Sequence, residues 1–304
     1  MFQVVKRAAH RSIPSLYVTL RYWWHDRKYP RGERLQKALF SYWWDDRQRR
    51  RQEKRLRNAF FANNQAMVKA GPYAGMVYFT QAIGSALFAK IVGSYEEELI
   101  SVIERIIVNQ PARVIDIGCA EGYYAIGFAR RLPSAQIYAF DTDRLARALC
   151  RRTAKANGVD ARVSVDGECT ISRLKELMTA DTTILSDCEG CEIDLLDPQQ
   201  VPSLASATLL VELHDSPQRL ASSVIPRRFA STHDIMIIDS SERDPSRYAV
   251  LQPLRRGDQI AAITEGRPAM QWAFMEPKRR NVMEDKGQQV MCYVINRAGI
   301  RSHL

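Results

Sequence analysis

The sequence has no apolar run approaching the ~20 residues that a helix needs to cross a bilayer. The longest early candidate, "IPSLYVTL" at residues 13–20, is short and runs into Arg21 instead of a small-residue cleavage site. A soluble, cytoplasmic protein is expected, with the membrane as a peripheral partner at most. Cysteine is sparse: six in 304 residues, at irregular spacing, do not form the dense framework of a small secreted domain, so reduced thiols are expected. Charge of one sign is lacking over most of the chain. The net charge is +10, but residues 1–60 hold 16 Lys and Arg against 5 Asp and Glu, which leaves 28 against 29 elsewhere. The basicity belongs to the N-terminal segment alone.

That segment carries a repeat. "YWWHDR" at Tyr22 to Arg27 returns as "YWWDDR" at Tyr42 to Arg47, 20 residues later. On one continuous helix the two copies would face opposite sides, and "KYPRGE" between them supplies a break at Pro30 and Gly32. A basic extension of two short helices over residues 1–62 is predicted, dispensable for chemistry. Trp23, Trp24, Trp43 and Trp44 either pack the helices together or onto the main domain, or present a surface for an anionic membrane, a glycan or a partner protein; a nucleic-acid arm ranks below these.

From Arg113 onward the chain alternates. "RVIDIG", "QIYAFD", "ARVSVDG", "TTILSD" and "ATLLVELHD" read as strands, separated by helical stretches such as "YYAIGFARRL", "RLARALCRRTAKANG" and "ISRLKELM". "DIMIID" and "MQWAFME" extend the series to seven, and "QQVMCYVIN" adds a further candidate near the end. Such alternation predicts the α/β class: a Rossmann-like, doubly wound, mostly parallel seven-stranded sheet with helices on both faces and an N-terminal helical extension.

Ligands of such sheets sit beyond the carboxyl ends of the strands. Here those ends carry Asp116 and Gly118, Asp141, Asp166 and Gly167, Asp187 and Glu189, and then Glu212, His214 and Asp215. Capping a following helix needs the same residue types, but five strand ends in succession are more than capping requires. The first turn, "DIGCAEG", has glycines at 118 and 122 but not the G-x-G-x-x-G spacing, which disfavours a dinucleotide. Asp141 is placed for a pair of ribose hydroxyls. Cys188-x-x-Cys191 has no second pair of similar spacing for a four-cysteine zinc site, and small buried side chains at a strand end are its plain reading; neighbouring first and fourth strands would bring Cys119 near Cys188.

"VIDIGCAEGYYA" followed by "YAFDTD" resembles the cofactor turn and acidic strand end of class I S-adenosylmethionine-dependent methyltransferases. "DCEGCEIDLL" with "LLVELHD" resembles the FkbM-type branch, with Ala120 where the turn usually has a glycine and cysteines at 188 and 191 where small or apolar residues are usual. The resemblance covers residues 70–280. It implies a helical lead-in over residues 63–110, a methyltransferase domain over 111–280 and a C-terminal strand and tail over 281–304. It also implies S-adenosylmethionine held by Asp116, Gly118, Cys119, Ala120, Glu121, Gly122, Tyr123 and Asp187, with Asp141 on the ribose and Asp166 and Gly167 near the adenine. Tyr123 or Tyr124 would face the sulfonium or pack in the core. The acceptor implied is a hydroxyl of a sugar, glycan or secondary metabolite.

For proton removal the candidates are His214 and Asp187, with Glu189 orienting the acceptor. His214 ranks first because an unperturbed imidazole titrates near pH ~6.5. Glu192 and Glu212 are assigned capping or core roles. The same cluster of Asp187, Glu189 and His214 can hold a divalent metal such as Mg²⁺, which prefers oxygen ligands and would acidify a bound hydroxyl. Methylation of RNA through the basic arm and a non-catalytic scaffold are the alternatives; the fourth strand ends in "SDCEG", not in an Asn-Pro-Pro-Tyr pattern, which speaks against base methylation.

Overall fold

The computed structural model describes residues 47–278 except Gly84, Pro217 and Pro268. The duplicated "YWW" clusters, the break at Pro30, Cys292 and the candidate strand "QQVMCYVIN" lie outside the described residues.

Two short strands come first, β1 (Gln65–Met67) and β2 (Val77–Phe79), paired as an antiparallel hairpin. The central sheet is built from β3 (Arg113–Ile117), β4 (Gln136–Phe140), β5 (Val163–Asp166), β6 (Thr182–Ser186) and β7 (Thr208–Glu212). A small hairpin of β8 (Asp215–Ser216) and β9 (Arg219–Leu220) follows, and β10 (His233–Asp239) and β11 (Gln271–Pro277) complete the sheet. The strand order is β10-β11-β7-β6-β3-β4-β5, and only β11 runs against its neighbours. All seven strands read from the sequence are present, in the doubly wound, mostly parallel arrangement expected. The chain reverses direction across the sheet between β3 and β6, so the crevice beyond their carboxyl ends is the place for a ligand.

Alternation along each strand feeds two cores, because successive side chains point to opposite faces. On β3, Val114 joins the cluster under the helices Ile100–Asn109, Tyr123–Arg131 and Arg144–Ala156, while Ile115 and Ile117 join the cluster under Ile171–Leu177 and Ala221–Phe229. On β7, Leu210 faces the first cluster and Leu209 and Val211 the second. Asp116 shares the face of Val114, which is why a carboxyl ends up beneath the first helical layer, 1% exposed. The acid after β4 works as the helix start: Asp143 accepts the Leu145 and Ala146 amides at 2.6 and 3.2 Å and so caps Arg144–Ala156.

One expectation about the N-terminal half needs correction. The lead-in over residues 63–110 is not wholly helical, since it opens with the β1–β2 hairpin; three-residue strands show too little period to be read as such. Packing continues across the boundary after residue 62. Residues 47–60 are helical, and Leu56 and Phe60 are buried in the main cluster at 2% and 6% exposure. Arg55 adds a two-pronged contact to Asp258 at 2.8 and 2.7 Å, with Gln52 on the same carboxylate at 3.2 Å. Among the described residues, no helix is long and apolar enough to cross a membrane.

Candidate active site

A cavity of about 1030 Å³ opens at the carboxyl end of the sheet. Its floor is the turn after β3. Gly118 has φ +90°, and a Cβ there would lie 1.7 Å from the Asp187 carbonyl oxygen at the end of β6. Only glycine lets the two strand ends approach so closely. The Gly118 and Cys119 amides both donate to the Phe140 carbonyl, at 2.8 and 2.9 Å, which ties the turn to β4. Ala120 sits at φ 47°, in the left-handed region that glycine enters freely, and its amide donates to Asp141 Oδ2 at 2.8 Å. Asp141 Oδ1 accepts the Asp143 amide at 2.8 Å. The carboxylate is thus held in place by backbone and faces the cavity with acceptor capacity left, since each oxygen can take more than one bond.

Of the residues proposed for the cofactor, Gly118, Cys119, Ala120, Tyr123, Asp141, Gly167 and Asp187 line this cavity, as do Glu189 and His214. Four others do not. Glu121 turns away into a buried pair with Lys90 (2.7 Å), with the Tyr78 hydroxyl and the Ile83 amide on the same carboxylate. Gly122, at φ +93°, is packed against Cys150 and Ile126. Asp166 has an exposed side chain, and its carbonyl accepts the Asp141 amide at 3.2 Å. Asp116 is enclosed: neither carboxyl oxygen makes a hydrogen bond of normal geometry, and burial pushes its pKa up to about 7.

Tyr123 and Tyr124 both border the cavity, but their rings are packed against other aromatic side chains. Tyr123 meets Tyr73, Tyr95 and Tyr124 edge to face at 5.3–5.5 Å, and the cation nearest its ring is Lys90 Nζ at 5.4 Å. Cys119 finds Cys150 instead of Cys188, and that hydrogen bond, with burial, holds its thiol well above the usual range. The expectation of reduced thiols is corrected at one place: Cys188 and Cys191 form a disulfide, Cα atoms 5.6 Å apart, on the cavity wall. Cysteine spacing alone could not distinguish a bonded pair from two small buried side chains.

At the opposite end of the cavity, β6 and β7 bring four acids around one imidazole. His214 Nδ1 donates to Glu192 Oε1 at 2.8 Å, and Nε2 faces Glu212 Oε2 at 3.1 Å, Glu189 Oε2 at 3.5 Å and Asp187 Oδ1 at 3.6 Å. Glu192 is fully buried and also accepts the Cys188 amide at 3.1 Å. Glu212, 2% exposed, is shared with Arg267 at 2.8 Å, and Arg267 also reaches Glu96 (2.6 Å) and Glu265 (3.1 Å).

The free-imidazole role expected for His214 is therefore corrected. Burial opposes its charge, but the hydrogen bonds to Glu192 and Glu212 outweigh it and push the pKa up to about 10. Burial, then the contact with Glu212, raises Asp187 to about 9. Burial would raise Glu212 too, yet His214, Asp187 and Arg267 hold it below its ordinary value. These directions favour the charged form of the ring and the protonated form of Asp187. Glu192 and Glu212, expected in capping or core roles, are buried and grip the ring; the E-x-H spacing at the end of β7 was the available signal for Glu212. Arg267, Glu96, Glu265 and Lys90 carried no signal at all, since 171 residues separate Glu96 from its partner Arg267.

Residues 98–176 match the family model described as the methyltransferase small domain. The matched stretch runs from the Ile100–Asn109 helix through the glycine turn, β4 and Asp141 to the Ile171–Leu177 helix. A release factor glutamine methyltransferase from Chlorobaculum tepidum is 33% identical over 112 residues, 36% of this chain and 34% of that protein. The chain thus spans about a third of the length of the curated relative it matches. Similar solved structures include the O-methyltransferase TomG from Streptomyces achromogenes in complex with S-adenosylmethionine (16% identity, 58% of this chain and 78% of that one, TM-score 0.39). An O-methyltransferase from Bacillus cereus in complex with S-adenosylhomocysteine is another (11% identity, 58% and 79%, TM-score 0.39).

Proposed function

We propose that the protein is an S-adenosylmethionine-dependent methyltransferase that acts on a hydroxyl of a sugar, glycan or secondary metabolite. The observation that carries this reading is one cavity with two chemically distinct ends. At one end is a glycine-dependent turn beside a backbone-held carboxylate, Asp141; at the other is a polar cluster around His214. The family match covers the first end and supports the cofactor.

When bound, S-adenosylmethionine supplies the electrophilic methyl group. This chain's residues do the rest. Asp141 would take the ribose hydroxyls, and the Gly118 turn lets backbone come close to the cofactor. Displacement at a methyl carbon needs an oxygen held in line with the leaving sulfur, so alignment of the acceptor is a large part of the catalysis. The cluster of Asp187, Glu212 and His214 presents several hydrogen-bonding groups toward the cavity for that alignment, Glu189 at its exposed rim adds a further carboxylate, and the hydroxyl proton would pass to one of the ionised carboxylates, Glu189 or Glu212, and not to Asp187.

The test is methyl transfer from isotopically labelled S-adenosylmethionine to panels of glycans, hydroxylated metabolites, RNA and glutamine-bearing peptides, read by mass spectrometry. Label on a hydroxyl acceptor, abolished by His214→Ala, supports the reading. Label on RNA or on the peptide alone would replace the acceptor class, and no transfer with intact cofactor binding would favour a scaffold.

A further inference from the structure

Nothing in the proposed function requires the arrangement around His214 to be as elaborate as it is. Its Nδ1 is committed to a fully buried carboxylate, Glu192, so the ring is fixed with Nε2 toward the cavity. Metal-binding imidazoles are held in this way, by a carboxylate on the other ring nitrogen. Around Nε2 stand Glu212 Oε2 at 3.1 Å and Asp187 Oδ1 at 3.6 Å. Two ligands about 2.1 Å from one cation at a right angle lie about 3 Å apart, so both separations are close to that of a shared ion. One ligand atom from each of Asp187, Glu212 and His214 lies within 4.8 Å of the others.

The second observation is a shortage of positive charge. Glu96, Glu192 and Glu212 are buried, and with Asp187 and Glu265 they make five carboxyls in this region; besides the His214 ring, the cations that reach them are Arg267 and Arg243, and Arg243 is shared with a sixth carboxyl, Glu98. Glu212 divides its oxygens, Oε1 to Arg267 and Oε2 to the ring side. The second oxygen of Glu192 is buried without a hydrogen-bond partner. Buried carboxyls in such excess are costly unless a further cation joins them.

We propose that Asp187, Glu212 and His214 form a divalent-cation site, with Glu192 positioning the ring. One nitrogen and two carboxylate ligands suit a first-row ion such as Mn²⁺, Fe²⁺ or Zn²⁺ better than Ca²⁺, which takes oxygen ligands alone. Three protein ligands leave positions for the oxygen of an acceptor, so the ion would bind the hydroxyl and lower its pKa. That last role rests on the methyl-transfer reading; the cation site itself does not.

The test is titration of chelator-treated full-length protein with Mn²⁺ and with Zn²⁺, followed by electron paramagnetic resonance for Mn²⁺ and calorimetry for both, with S-adenosylmethionine titrated in parallel. One ion per chain at micromolar concentration is expected. Binding should weaken by at least about 100-fold in His214→Ala and Glu212→Gln, and by about 10–100-fold in Glu192→Gln, the magnitude usual for a group that orients a ligand. Circular dichroism and thermal melting show that each variant is folded, and Asp187→Asn serves where one is not. No binding of either ion below about 1 mM, or binding that survives His214→Ala, would overturn the site. Cofactor binding without cation binding sinks this inference alone, whereas cation binding without cofactor binding sinks the methyl-transfer reading alone.

Discussion

Replacing Gly118 with alanine should damage both the fold and the proposed cofactor site, and the structure sets the size of the effect. At φ +90° an L-residue is strained, by about 1–2 kcal/mol even in the milder left-handed region. The new Cβ would stand 1.7 Å from the Asp187 carbonyl oxygen and 2.6 Å from its carbon, which are backbone atoms and cannot rotate aside. Relief requires β3 and β6 to part, and that strains the hydrogen bond from the Asp187 amide to Ile117 (2.8 Å) and the two amide bonds to Phe140. Each such bond contributes about 0.5–1.5 kcal/mol. A total loss of about 3–5 kcal/mol is expected, read as a lower urea midpoint, together with S-adenosylmethionine affinity at least tenfold weaker. Gly167→Ala is the control, because it borders the same cavity yet a Cβ there meets nothing within 4 Å, so stability should stay within about 0.5 kcal/mol. Gly118→Ala protein within about 1 kcal/mol of the parent, binding the cofactor as tightly, would refute the reasoning.

Leu56→Ala and Phe60→Ala should each cost about 2–5 kcal/mol in urea denaturation, because both side chains are buried in the main core; a chain beginning at Asn63 that melts like the full chain would contradict this. Lys90→Met should cost about 3–5 kcal/mol at pH 7, since it leaves Glu121, 2% exposed, without its cation, and part of the loss should be regained in acid as Glu121 protonates; equal losses at pH 5 and pH 8 would refute it. Burial raises Asp116 from its ordinary 3.8 to about 7, so its contribution to stability is complete below pH ~4 and is lost as pH rises through about 7. Three pH units correspond to about 4 kcal/mol, and Asp116→Asn should flatten the fall in stability between pH 5 and pH 8; an unaltered slope would contradict the burial argument.

The sheet was legible because its strands are short apolar runs closed by an acid or glycine, and each of the seven shows that pattern. The hairpin of β1 and β2 was not, since three residues carry no period. The ligand end was legible in part. Glycine at 118 and the acid at 141 announce a turn and an acceptor wherever they occur in a βα unit. His214 announced itself as a titratable group with Glu212 two residues before it, but its protonation is also set by Glu192 from another element, and that contact exists only after folding. The choice between a free extension and one packed on the main domain was not legible for a related reason. Charge falls off near residue 60, but Leu56 and Phe60 lie on the core side of a helix whose other faces carry the arginines, and composition averages the two.

Calorimetric titration of the full chain with S-adenosylmethionine tests the central claim most directly when paired with Asp141→Asn. One saturable site is predicted. The variant should bind about 10–100-fold more weakly, as expected for charge-assisted hydrogen bonds of about 1.5–3 kcal/mol to the ribose, while its melting temperature changes little because Asn keeps an acceptor for one of the two backbone amides. No binding up to millimolar cofactor, or equal affinity in the two proteins, would contradict the account.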